Sequence, residues 1–181
     1  MLLISLIPFH IRFWQCINRY YYTGMWFPHL VNAGKYLTSV VVMIIAYLKT
    51  VRPGYDYIYV LMAVVSTIYS LAWDFKMDWG LLRGNKPGRR FLRNRLKYPH
   101  SYYYFAMIMN TVLRLTWVLQ FIPSSWFGDQ FKAFDIMFFS LAVAEAFRRA
   151  LWSLFRVENE NVNNFEKYRT IMEIPKLPDE N

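Results

Sequence analysis

Apolar residues along this chain gather into long runs broken by short polar stretches, the pattern of helices that cross a hydrocarbon layer. Phe131 to Phe155 is mostly apolar and, as a helix, long enough for a bilayer core of about 30 Å, which needs roughly 20 residues. Tyr57 to Trp73 carries no charge, Tyr102 to Ile122 carries only Arg114, and Lys35 to Leu48 reaches spanning length if its helix begins near Leu30. Met1 to Phe9 is apolar but too short to span. It reads as the remnant of a helix or a membrane-surface segment, followed by Arg12 and Arg19 among aromatic residues that suit an interface. Proline and glycine mark turns at 49–56 and 123–130. The pattern predicts an all-α, polytopic transmembrane helical bundle with about four full spans plus a short N-terminal apolar segment. Beyond Val157 the chain is polar and asparagine-rich, which predicts a short helical extension of the membrane domain to about residue 172 and a disordered tail over 173–181.

Composition agrees with a membrane protein, at 56% hydrophobic and 20% aromatic residues. A net charge of +9 would point to nucleic acid in a soluble protein. Here Arg83, Lys86, Arg89, Arg90, Arg93, Arg95 and Lys97 crowd into Gly80 to His100, which has no acid, as the positive-inside rule predicts for a cytosolic loop. No nucleic-acid partner is expected; the C-terminus is placed in the cytosol, and the basic loop could also hold lipid head groups or concentrate anions. Cys16 stands alone, so there is no internal disulfide and no thiolate metal cluster, and no cofactor is implied.

The charges inside the predicted spans carry the chemistry. Each ionised side chain near a bilayer centre costs about 2.5 to 3.5 kcal/mol unless compensated. Glu145 lies one helical turn from both Arg148 and Arg149, and one carboxylate neutralises only one guanidinium, which leaves a positive charge over. Arg114 has no acid on its own helix, so its partner is Glu145 or Asp74. Asp74 and Asp78 fall on one helix face and repel unless a cation or solvent compensates them; Lys76 is on the other side. A spare guanidinium inside a bundle suits phosphate or carboxylate, whose paired oxygens match its planar fork. The alternatives are a purely structural cluster, or arginines snorkelling to water near Arg156. An enzyme is not expected, because no nucleophile, base and orienting group recur at usable spacing and no glycine-rich phosphate loop occurs.

Four separated stretches, Arg12-Phe13-Trp14-Gln15-Cys16, Pro28-His29-Leu30-Val31-Asn32-Ala33-Gly34-Lys35-Tyr36, Trp73-Asp74-Phe75-Lys76-Met77-Asp78-Trp79-Gly80 and Glu145-Ala146-Phe147-Arg148-Arg149, occur in an order that resembles the EXS domain. That domain is the transmembrane half of the SPX-EXS phosphate exporters, of the retrovirus-receptor and plant PHO types. The likeness runs from about Ile11 to about Met172. It implies export of inorganic phosphate through a path lined by arginines, with Lys35, Tyr36, Arg114, Arg148 and Arg149 binding phosphate, Asp74 and Glu145 balancing charge, and Trp117 acting as a gate. Inorganic phosphate and the lipid bilayer are the implied partners. Family members that export across the plasma membrane usually carry an SPX domain and further spans, so a piece of a longer chain, a homodimer or an SPX-containing partner each fit the resemblance. Short relatives without SPX act in the Golgi in protein retention, which leaves plasma membrane and Golgi open and supplies a rival function, sorting, with the buried charges structural.

Overall fold

In the computed structural model the described residues are 2–52, 54–82, 91–93, 96–121 and 130–172. They form five helices, α1 (Leu2–Thr23), α2 (Trp26–Val51), α3 (Asp56–Trp73), α4 (His100–Arg114) and α5 (Gln130–Met172). A π-helical turn, Asp74–Asp78, continues α3, and a 3-10 turn, Leu115–Phe121, continues α4. No strand occurs among the described residues, so the all-α expectation holds. The chain divides into two compact units, 1–73 and 74–181.

In the first unit the apolar start is not a separate segment. It forms the opening turns of α1, which runs on through Arg12 and Arg19 to Thr23. The change from apolar to aromatic and basic residues near His10 does not interrupt the backbone, and α1 continues through Pro8 in its second turn, at the cost of the one i→i−4 hydrogen bond that the proline nitrogen cannot donate. Phe27 is extended ahead of Pro28, because the proline ring crowds the helical conformation of the residue before it; regular helix then runs to Val51. The turn expected over 49–56 is narrower than its punctuation implied, since Lys49 is still helical and pairs with Asp56 at 3.1 Å. Helices α2 and α3 meet closely at Gly34, where an added Cβ would lie 3.0 Å from the Tyr69 hydroxyl. That hydroxyl donates to the Val31 carbonyl at 2.5 Å, which satisfies a polar group on an apolar helix.

In the second unit a mainly aromatic core gathers around Phe155. Its ring centroid lies 5.2 Å from Trp79 and 5.1 Å from Tyr103, contacts worth about 0.5 to 1.5 kcal/mol per pair beyond burial. Leu81, Leu92 and Ala106 complete this core. Two residues past the π turn lies Gly80, whose φ of +63° is a conformation only glycine adopts without strain. Asn159 comes up against it, and an added Cβ would meet Asn159 Oδ1 at 2.3 Å. Gly80→Ala is therefore expected to lower stability by roughly 2 kcal/mol, because it combines a left-handed backbone penalty with displacement of Asn159 from the Asp78 carbonyl. Thermal melting of the purified protein checks this; a variant melting with the parent would show that the turn relaxes without cost.

Among the described residues two helices are long and apolar enough to cross a membrane, α2 and Asp56–Asp78. Helix α4, with 15 residues, is only about 22 Å long and needs the 3-10 turn to approach the thickness of a bilayer core. Helix α5 has 43 residues, extends well past Phe155, and is interrupted by charge. Of the four full spans expected, two are met by length and composition among the described residues. The turn expected over 123–130 and the tail over 173–181 lie outside the described residues except for Gln130, as do Arg83, Lys86, Arg89, Arg90 and Arg95 of the basic loop.

The distribution of polarity is inverted relative to a soluble domain. Large apolar side chains such as Leu61, Ile68, Ile108, Phe139 and Leu154 are more than half exposed, while Asp74, Asn110 and Arg148 are buried. Apolar surface on this scale is stable against hydrocarbon, and charge in such a setting turns inward to find partners.

Candidate functional site: a partly buried chain of ion pairs

The charges singled out by their membrane cost converge in the second unit. Asp74, 1% exposed at the head of the π turn, accepts from Arg114 Nε at 3.0 Å and from Arg114 Nη2 at 2.6 Å. Of the two candidate partners for Arg114, the structure selects Asp74. Asp74 Oδ2 also accepts from Asn110 Nδ2 at 3.0 Å, and Asn110 Oδ1 accepts from Arg148 Nη1 at 3.2 Å. Arg148 then grips both oxygens of Glu145, through Nε to Oε2 at 2.8 Å and Nη2 to Oε1 at 2.8 Å. Arg149 Nε shares Glu145 Oε1 at 2.8 Å. One carboxylate thus serves both arginines, although it balances only one of them in charge.

Three guanidinium groups against two carboxylates leave this chain one positive charge in excess. The two neighbouring arginines are not equivalent, since the side chain of Arg148 is 9% exposed and that of Arg149 is 71% exposed. Such an arrangement holds a desolvated, compensated guanidinium whose fork is already occupied by an oxyanion, Glu145. Another oxyanion of similar bite could take that place.

Asp74 and Asp78 do not depend on solvent for compensation. Asp78 Oδ2 accepts from Trp152 Nε1 at 3.2 Å, and its Oδ1 lies 3.9 Å from Arg156. Trp117 sits on the 3-10 turn with its ring centroid 6.1 Å from Phe121. Lys35 and Tyr36 belong to the first unit, where the Lys35 ammonium lies 4.8 Å from the Tyr36 ring centroid and 5.3 Å from that of Trp73, a cation held over aromatic faces.

Two features escaped the reading of the sequence. Asn110, which joins the ion pairs, is a neutral residue in an apolar run and gave no signal of cost. A second buried network ties the basic loop to α5. Arg93 pairs with Glu158 at 2.5 Å and donates to Asn159 Oδ1 at 2.9 Å; Tyr103 also donates to Glu158, and Asn159 Nδ2 reaches the Asp78 carbonyl at 3.1 Å. Arg93 was submerged in a run of basic residues, and Glu158 in a polar tail. Only the absence of acids within the loop hinted that a partner would come from outside it.

Helices alone among the described residues, two of them apolar enough to span, with exposed apolar side chains and paired buried charges, are the pattern of a membrane protein. Residues 1–162 match the EXS family, and the chain belongs to that family. It is 38% identical to a protein of Xenopus laevis called xenotropic and polytropic retrovirus receptor 1 homolog, over 97% of this chain and 26% of that protein. Solute carrier family 53 member 1 of Mus pahari and of Homo sapiens are 39% and 37% identical, each over 97% of this chain and 26% of the relative. The chain therefore spans about a quarter of the length of the curated relatives it matches.

Proposed function

We propose that this chain forms part of a phosphate-exporting membrane protein, a transporter and not an enzyme, in which Arg114, Arg148 and Arg149 receive the phosphate. The observation that carries this reading is the buried Arg148 guanidinium held bidentately by Glu145 within a cluster of net charge +1. The surplus charge rests on the exposed Arg149, and the buried Arg148 offers a fork whose resident oxyanion another anion could replace. Relatives named as solute carriers support transport over protein sorting. Lys35 and Tyr36 as phosphate ligands, and Trp117 as gate, enter through the family motif. The same reading has α4 with its 3-10 turn and the apolar part of α5 crossing the membrane, with Arg148 facing its polar partners Glu145 and Asn110.

Glu145 is proposed to act as a resident competitor. In the empty state it compensates the arginines, and arriving phosphate displaces it, so the desolvated guanidinium always faces an anion. Glu145→Gln removes the competing charge while keeping the shape. Its phosphate affinity is expected to rise several-fold, while the phosphate-free protein melts at a lower temperature than the parent. Equilibrium binding of radiolabelled phosphate and thermal melting, both on one preparation, test the two halves. Weaker phosphate binding in the glutamine variant would contradict displacement and make Glu145 part of the receptor. Absence of phosphate binding in both the parent and Glu145→Gln would contradict the phosphate reading itself.

A further inference from the structure

Asn110 joins the Asp74–Arg114 pair to the Arg148–Glu145 pair, and it is 0% exposed. A group placed between a carboxylate and a guanidinium has to donate on one side and accept on the other while adding no charge; a primary amide does so. We propose that Asn110 is a positioning residue that fixes the direction of the Arg148 guanidinium and makes the two ion pairs respond as one. The assignment follows from how Arg148 spends its donors. Its Nε and Nη2 face Glu145 together, while Nη1 alone is anchored on Asn110. When an anion replaces Glu145, the Asn110 bond is the contact that survives. It keeps the planar Nε and Nη2 edge aimed at the vacated position, where an unanchored guanidinium would rotate. Through its other end the same amide senses Asp74, so a change at the Arg114 pair reaches Arg148 across a neutral link.

The proposal rests on the phosphate reading for its ligand but not for its geometry, and the experiment separates the two. In the full-length protein, Asn110→Leu is expected to weaken phosphate binding about tenfold, the scale of one lost hydrogen bond to a charged group, although every charge remains. Asn110→Asp supplies a second, reversible test. The charged groups facing this position among the described residues are Asp74 from the π turn and Arg148 from α5, with Arg114 and Glu145 behind them. Protonated, the introduced carboxyl can donate to Asp74 and accept from Arg148, as the amide does. Ionised, it turns on Arg148, cancels the spare charge and confronts Asp74. Its phosphate affinity, taken as a ratio to the parent so that the ionisation of phosphate cancels, is expected to fall as rising pH ionises the introduced carboxyl. A ratio that rises with pH, or Asn110→Leu binding like the parent, would overturn the proposal.

A measurement without phosphate completes the test. Asp74→Asn and Glu145→Gln touch different pairs, so their effects on melting should be non-additive when Asn110 is present and additive in the Asn110→Leu background. Coupling that is absent from the start, or that persists without Asn110, would overturn the link. Intact coupling in a parent that binds no phosphate would uphold the link and sink the phosphate reading.

Discussion

Replacing Asp74 with alanine is expected to lower the melting temperature of the purified protein by about 10 °C, the largest stability effect at any position in the site. Asp74 is 1% exposed and its Oδ2 accepts from Arg114 and Asn110 together. Removing one partner of a buried pair leaves the other desolvated and uncompensated, which costs about 3 to 5 kcal/mol. Arg114 is partly exposed, and that places the expected loss toward the lower end of the range. Asp74→Asn keeps an acceptor for Arg114 but removes the charge, so it should fall between alanine and the parent. Melting of all three in one detergent checks the order. If Asp74→Ala melted with the parent, Arg114 would have another route to compensation, and Asp74 would not be the centre of the cluster.

The second large effect is on binding. Arg148→Lys retains the positive charge and is expected to weaken phosphate affinity by about ten- to a hundred-fold. The arginine makes two parallel bonds to Glu145 and a third to Asn110, in directions fixed by one plane. A lysine ammonium, reaching to a single point, cannot reproduce that fork. Arg149→Lys is expected to cost no more than about threefold, because Arg149 is 71% exposed and makes one bond to Glu145. Sequence alone made these neighbours interchangeable; burial separates them. Titration of both variants with radiolabelled phosphate gives the comparison, and equal losses, or a larger loss for Arg149→Lys, would mean that the exposed arginine is the receptor.

What was legible in the sequence followed from one physical fact, that charge is expensive in hydrocarbon. Glu145, Arg148, Arg149 and Arg114 declared themselves by standing in apolar runs, and the need of Arg114 for a partner on another element narrowed the choice to Glu145 or Asp74, between which the structure selects Asp74. Helix positions were legible for the same reason, since Tyr57 to Trp73 has few alternatives to a helix. Features without a cost signal were missed. Asn110 is neutral, so its burial between two charges could not be inferred without the fold. The helix from Leu2 to Thr23 was broken at the point where its composition changes, although its backbone has no reason to stop there. The π turn at Asp74–Asp78 depends on the Trp79 N–H reaching the Asp74 carbonyl at 2.8 Å and on Asn159 arriving from α5, contacts that no local pattern encodes. Arg93 and Glu158 were each hidden by residues of their own kind.

The central claim is that the spare positive charge of this cluster serves the passage of phosphate. Radiolabelled phosphate efflux from proteoliposomes containing the full-length protein measures it most directly, with Arg148→Lys reconstituted to the same density. The account predicts efflux well above that of empty vesicles, and a marked loss in Arg148→Lys although the variant remains folded. Efflux no greater than from empty vesicles, from a parent preparation shown to be folded by its melting transition, would contradict it and leave the buried charges as structural fastenings between helices.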